Sequence, residues 1–202
     1  MAGRGDLGRS EAPVTSPLVL ASTSPQRRAI LEQLRVRFTA EAPAYEEHDP
    51  PDADPVALVR EHAVGKARSV HRPGQVTLGV DTTVHLDGTV YAKPRDAEHA
   101  RLVLRELAGR THVVLSGVCL LSDAGEDLEH AETRVRFRPL GERELDRYIA
   151  SGEWEGRAGG YAIQGLGGRL VAWVEGDYLN VVGLPGALLV DLLERRAPGL
   201  LS

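Results

Sequence analysis

Leu18-Val-Leu-Ala-Ser-Thr-Ser-Pro-Gln-Arg-Arg28 is the stretch that decides the fold class. Its four apolar residues read as a short buried strand. Ser24-Pro25 then reads as a helix start, because a serine cap accepts an orphan N–H and a proline at the first helical position forfeits no hydrogen bond. Ile30, Leu31 and Leu34 carry the apolar stripe of that helix. The same junction is a candidate anion site, since a helix N-terminus presents unpaired N–H groups and partial positive charge. Ser22, Ser24, Arg27 and Arg28 would complete a polyphosphate cradle. An ordinary capped helix with solvent-facing arginines is the equal alternative at this point.

Outward from this unit, strands and helices keep alternating. Residues 36–40 read as a strand, and the acidic, proline-rich residues 42–55 as a long loop of the kind that often carries function. Asp54-Pro55 opens a helix to about Val70, with Leu58, His62 and Lys66 along one face. Residues 76–80 read as a strand ending at Asp81-Thr82-Thr83. A hairpin over 84–91 turns at Asp87-Gly88, and Asp96 caps a helix running to Gly109. Two long strands are expected over 111–122 and 128–138, the second with Thr133, Val135 and Phe137 alternating with arginines. A helix over 142–151, a strand over 170–174 and a last helix over 185–195 follow. The pattern predicts a mixed α/β sheet, with residues 1–16 as a disordered leader and 17–202 as a single domain.

Composition removes several functions. A formal net charge of −5 argues against broad binding to nucleic acid. The longest apolar run, residues 113–121, is far too short to cross a bilayer, and the first 17 residues lack the apolar core of a secretory signal. Cys119 has no partner cysteine and sits in a strand-like run, so it reads as a small core residue. The chain reads as cytoplasmic, with no membrane and no nucleic acid as partner. Its histidines show no zinc spacing.

Lysine is nearly absent. Lys66 and Lys93 are the only two, against 22 arginines. A compact ammonium suits a phosphate oxygen where a wide guanidinium fork does not. Asp81, directly after an apolar strand, is a candidate metal ligand or general base, and Lys93 a candidate phosphate ligand beside it. In the acidic loop Glu46 and Glu47 can reach a divalent cation, although a solvated loop is the default reading. The run Ala158-Gly-Gly-Tyr-Ala-Ile-Gln-Gly-Leu-Gly-Gly168 is neither a P-loop nor a dinucleotide fingerprint. Its Gln164 has the donor and acceptor needed to read a base edge.

Taken together these segments resemble the Maf family of nucleotide pyrophosphatases over about residues 18–195. The resemblance rests on residues 20–28, Gly79-Val-Asp-Thr, Lys93-Pro94, Ala158-Gly-Gly-Tyr-Ala-Ile-Gln-Gly165 and Gly176-Asp-Tyr-Leu-Asn-Val-Val-Gly-Leu-Pro185, in the family's order. It implies an ITPase-like architecture, an elongated twisted mixed sheet flanked by helices. It also implies hydrolysis of a nucleoside triphosphate to the monophosphate and pyrophosphate with Mg²⁺ or Mn²⁺, and a possible homodimer. By the same resemblance Asp81 is the general base, Glu47 and Asp81 hold the metal, and Ser22, Ser24, Arg27, Lys66 and Lys93 meet the phosphates. Gln26, Thr82 and Gln164 fall at the positions associated with base choice. Thr82 and Gln164 are similar to the branch acting on dTTP and UTP. Gln26 departs from it, since that branch usually has arginine there, and the branch for methylated GTP tends to have tryptophan. The alternatives are the same reaction on a modified purine nucleotide, and a non-catalytic nucleotide sensor linked to cell division.

Overall fold

A computed structural model of the chain describes residues 17–50 and 53–201. The expected leader lies outside the described residues. Seven strands form one open sheet: β1 (Leu18–Ala21), β2 (Phe38–Glu41), β3 (Thr77–Leu86), β4 (Thr89–Tyr91), β5 (Thr111–Ser122), β6 (Gly125–Phe137) and β7 (Val171–Glu175). The order is β2-β1-β3-β5-β6-β7, with β4 also paired to β3. β1 pairs in parallel with β2 and β3, and every other pairing is antiparallel. The mixed sheet expected from the alternating pattern is therefore present. β1 and β2, linked by α1 (Pro25–Gln33), pair in parallel, while hairpins join β3 to β4 and β5 to β6.

The helices are α1 (Pro25–Gln33), α2 (Pro55–Val70), α3 (Ala97–Leu107), α4 (Glu142–Ala150), α5 (Tyr178–Val182) and α6 (Gly186–Arg196). Three start on the caps read from sequence: Ser24 accepts from Arg27 N–H, Asp54 from Ala57 N–H, and Asp96 from His99 N–H. Residues 178–182 were not expected to be helical. A five-residue helix is too short to show a periodicity, and Asp177 starts it by accepting from the N–H groups of Leu179 and Asn180.

The largest correction concerns β3. The strand does not end at Val80 but continues to Leu86, paired with β5 from Thr77 to His85. Asp81-Thr82-Thr83 is thus mid-strand. On its other side β3 pairs with β1 only through Leu78 and with β4 only from Val84, which leaves residues 79–83 without a neighbouring strand among the described residues. Polar residues are tolerable there because that stretch of edge opens onto a cleft. The strand before it also begins late, at Phe38 rather than residue 36, while β6 begins earlier than expected, at Gly125.

Alternation along β3 sorts what lies on each side. Leu78 and Val80 join one apolar cluster with Ile30, Leu31, Leu189 and Leu192, so α1 and α6 pack there. Val84 and Leu86 join a second, with Leu104, Leu107, Phe137 and Leu145, where α3 and α4 pack. Thr82 sits between the two clusters. The opposite face is covered by α2, whose buried face includes Leu58, Val59, His62, Ala63, Lys66 and Ala67. α2 lies almost on the sheet because Gly79 and Gly117 have no side chains: a Cβ would sit 2.0 Å from Ala63 O at the first and 2.2 Å from Val59 O at the second. Gly117 is the β5 partner of Asp81. The two glycines therefore set how closely α2 delivers its polar residues to that carboxylate.

Candidate functional site

The gap in β3 is filled from three directions. From α1, Arg27 reaches across: its Nε donates to Gly183 O (2.9 Å), one Nη to Ser22 Oγ (3.3 Å) and the other to Thr82 Oγ1 (3.2 Å). Thr82 Oγ1 also lies 2.9 Å from Ser116 Oγ and 3.3 Å from Gly183 O. Burial pulls the Arg27 guanidinium down from its ordinary value, and the Asp81 and Glu47 carboxylates counter that pull. Ser22 Oγ accepts from Ser24 N–H, and Ser24 Oγ donates to Gln26 Oε1 and accepts from Arg27 N–H. At this helix N-terminus the Arg27 N–H is therefore already capped by Ser24.

From α2, the Lys66 ammonium donates to Asp81 Oδ1 at 2.5 Å and lies 2.5 Å from Glu47 Oε1. Lys66 is 6% and Asp81 9% exposed. His62, 2% exposed, places Nδ1 3.5 Å from Asp81 Oδ2 and Nε2 3.6 Å from Asp49 Oδ1, both longer than a normal hydrogen bond. Burial alone would raise the Asp81 carboxyl, but His62, then Lys66 and Arg27, outweigh it and hold the group well below the usual carboxylate range. The same contact with Asp81 raises His62 above its ordinary value, against its burial.

The acidic loop supplies the third side. Tyr45 lies over Gly65, where an added Cβ would be 2.1 Å from the ring, and makes an edge contact with His62 at 5.7 Å between centroids. This anchors the loop to α2 and carries Glu47 to Lys66. Glu46 makes no such approach and is exposed. Glu47, His62 and Asp81 each offer a donor atom, all within 4.8 Å of one another. Two carboxylates and an imidazole suit a divalent cation of the Mg²⁺–Mn²⁺ range, and the carboxylate pair already gathers one cation in Lys66.

The cleft has a volume of about 430 Å³, and Ser22, Ser24, Gln26, Arg27, Glu47, Lys66, Thr82, Lys93 and Gln164 all line it. These residues expected from sequence meet at the cleft, with Asp81 directly behind Lys66, whereas Arg28 is exposed and does not line it. Lys93 stands exposed on the cleft and makes no hydrogen bond or ion pair among the described residues, so Lys66 alone of the two lysines is paired with Asp81. Sequence reasoning missed His62, whose position on the Lys66 face of α2 was the available signal. It also missed Ser116, Gly183 and Asn180. Asn180 is wholly buried and donates through Nδ2 to Val114 O, Ala131 O and Thr133 Oγ1. That fastening holds α5 on the sheet and fixes Gly183 where Arg27 meets it.

Residues 17–196 match the family model described as Maf-like protein. Among curated proteins the chain is similar to a dTTP/UTP pyrophosphatase of Myxococcus xanthus, 48% identical over 88% of this chain and 91% of that one. It is also similar to those of Nitratidesulfovibrio vulgaris, 44% identical over 93% and 92%, and Symbiobacterium thermophilum, 43% identical over 87% and 92%. A family model matched along nearly the whole described chain, and relatives matched along nearly their whole length, place the cleft in a known setting: the chain belongs to the Maf family.

Proposed function

We propose that the chain hydrolyses nucleoside triphosphates, dTTP and UTP foremost, to the monophosphate and pyrophosphate. One observation carries this reading: a buried carboxylate, Asp81, is gripped by the ammonium of Lys66 at the edge of a cleft lined with cations. The names and extent of similarity of the relatives support the pyrimidine substrates. The same reading puts the protein with its substrates in the cytoplasm.

The water oxygen bonds to the α-phosphorus, and the bond from that phosphorus to the bridging oxygen breaks. Pyrophosphate leaves with the bridging oxygen, and the proton of the water passes to Asp81 and then to solvent. Asp81 orients the water, while Glu47, Asp81 and His62 would hold a divalent cation. Mg²⁺ or Mn²⁺ bound there would lower the pKa of a coordinated water and offset phosphate charge. A carboxylate held as low as Asp81 is a weak proton acceptor while Lys66 and His62 grip it. Incoming phosphate oxygens compete for the Lys66 ammonium, and each contact withdrawn from Asp81 raises its proton affinity. Arg27, fixed by Ser22, Thr82 and Gly183, stabilises charge developing on the phosphates. The Thr82 hydroxyl is committed to Arg27, Ser116 and Gly183, so it acts by positioning the guanidinium. Gln164, exposed on the cleft wall, offers a free amide to a base edge.

Turnover of a nucleoside triphosphate panel by wild type and Asp81→Asn tests the proposal. Wild type should act best on UTP and dTTP with added Mg²⁺ or Mn²⁺. Asp81→Asn should lose about 10²–10⁴-fold in kcat while keeping a cooperative melt, because Glu47 still pairs Lys66. Near-wild-type turnover in the variant would remove Asp81 from the chemistry.

A further inference from the structure

Among the described residues four cations line the cleft, and they divide into two kinds. Arg27 and Lys66 are engaged, the first by two hydroxyls and a carbonyl, the second by two carboxylates. Lys93 and Arg157 are not: among the described residues neither side chain has a hydrogen bond or ion pair. Arg157 is the more telling of the two. Its Nε lies buried without an acceptor among the described residues, while the residue itself is half-buried on the cleft wall. A charged N–H in that state is a standing cost unless a ligand supplies the missing oxygen.

Its place in the chain is fixed. Arg157 N–H donates to Trp154 O at 3.2 Å, and Arg157 O accepts from Gly160 N–H at 3.0 Å. Gly159 then packs on Val84, and Gly160 packs on Pro94, the residue after Lys93, where an added Cβ would lie 3.1 Å from the proline ring. Both unpaired cations therefore belong to one wall of the cleft. Arg27 and Lys66 gather around Asp81, so they belong to the reacting phosphate. The remaining positive charge faces what lies beyond it.

We propose that Arg157, with Lys93, binds the two terminal phosphates of the substrate and holds them as they leave as pyrophosphate. A planar guanidinium fork matches phosphate oxygens two at a time, a fit that the neutral amide of Gln164 does not offer. An acidic chain with four cations converging on one cleft has concentrated its positive charge for a polyanion. The inference rests on the pyrophosphatase reading and adds a residue to it. Neither the glycine-rich motif nor the cation count in the sequence singles out Arg157.

Calorimetric titration of the full-length protein with magnesium pyrophosphate, and separately with UMP, tests it. Arg157→Ala should weaken pyrophosphate binding by about 10- to 100-fold, the worth of one charged hydrogen-bonding group. UMP affinity should stay within about twofold, and kcat/KM for UTP should fall with pyrophosphate affinity. Added guanidinium should restore part of the lost pyrophosphate binding, which a merely structural defect would not permit. Arg157→Gln, which keeps most of the side-chain volume, serves the same measurements if the alanine variant melts early. Loss of UMP affinity equal to that for pyrophosphate would assign Arg157 to the nucleoside and overturn the proposal. Unchanged affinity for both would make it a bystander, also overturning it. If wild type binds pyrophosphate and releases it from UTP in either case, only this inference falls. If wild type does neither, the pyrophosphatase reading falls with it.

Discussion

Lys66 bridges two carboxylates at 2.5 Å, a geometry that a compact ammonium satisfies and a planar fork cannot without moving one of them. Lys66→Arg should therefore cut kcat by about tenfold or more although the charge is kept, as read in steady-state UTP hydrolysis. A rate equal to wild type would strip the scarce lysine of its special standing. His112, wholly buried against Tyr161 Oη at 2.8 Å, is pushed down to about 4 by burial and then by His85. Between that value and the ordinary histidine value of about 6.5 the unfolded chain binds the extra proton. Stability from this group is complete above about pH 6.5 and is lost as the pH falls toward 4. The loss reaches about 3 kcal/mol at roughly 1.4 kcal/mol per unit. His62 works in the opposite sense: its pairing with Asp81 contributes below its unfolded value and fades as the pH climbs through its raised folded value. The His112 share is thus the difference between urea midpoints of wild type and His112→Gln at pH 7 and pH 4.5. An identical shift in both proteins would contradict it. At this scale the sequence was legible where chemistry is rare, as with two lysines, and illegible for His62 and Arg157. The meaning of His62 lies in its contact with Asp81, and that of Arg157 in an Nε for which no described residue supplies an acceptor.

Helix α2 does most of the positioning, and its reach depends on side chains that are missing. Gly117→Ala would drive a Cβ to within 2.2 Å of Val59 O, backbone that can yield only if the whole helix lifts. The substitution should cost about 1–3 kcal/mol of stability and lower turnover more than the loss of folded protein explains, because His62 and Lys66 retreat from Asp81. Thermal melts alongside kcat check this; normal activity at a lowered midpoint would show that the helix height is immaterial. Elements with local signals were read correctly: the caps at Ser24, Asp54 and Asp96, the Asp87-Gly88 turn, and the alternation in β6 that buries Thr133, Val135 and Phe137. Asp81-Thr82-Thr83 looks like the polar end of a strand, although β3 runs on to Leu86. Only the absence of a neighbour beside residues 79–83 makes those residues tenable within one, and that is a fact about β1 and β4. Glu47 likewise reaches the site through Tyr45 resting on Gly65, a contact no local pattern announces.

The molecule as a whole is two apolar clusters on one sheet face, parted at Thr82, with α2 closing the other face. Val182 of α5 packs against both clusters, so the segment that supplies Gly183 to Arg27 also spans the cleft floor. Alternating helices and strands foretold the mixed sheet, but not which strands would leave an opening between them. The site lies in that opening, where charge and geometry converge on one reaction. Phosphorus NMR of UTP turned over in ¹⁸O-water by the wild-type protein with Mg²⁺ tests that convergence most directly. The account predicts UMP carrying the heavy oxygen together with unlabelled pyrophosphate; UDP with orthophosphate, or the label in pyrophosphate, would contradict it.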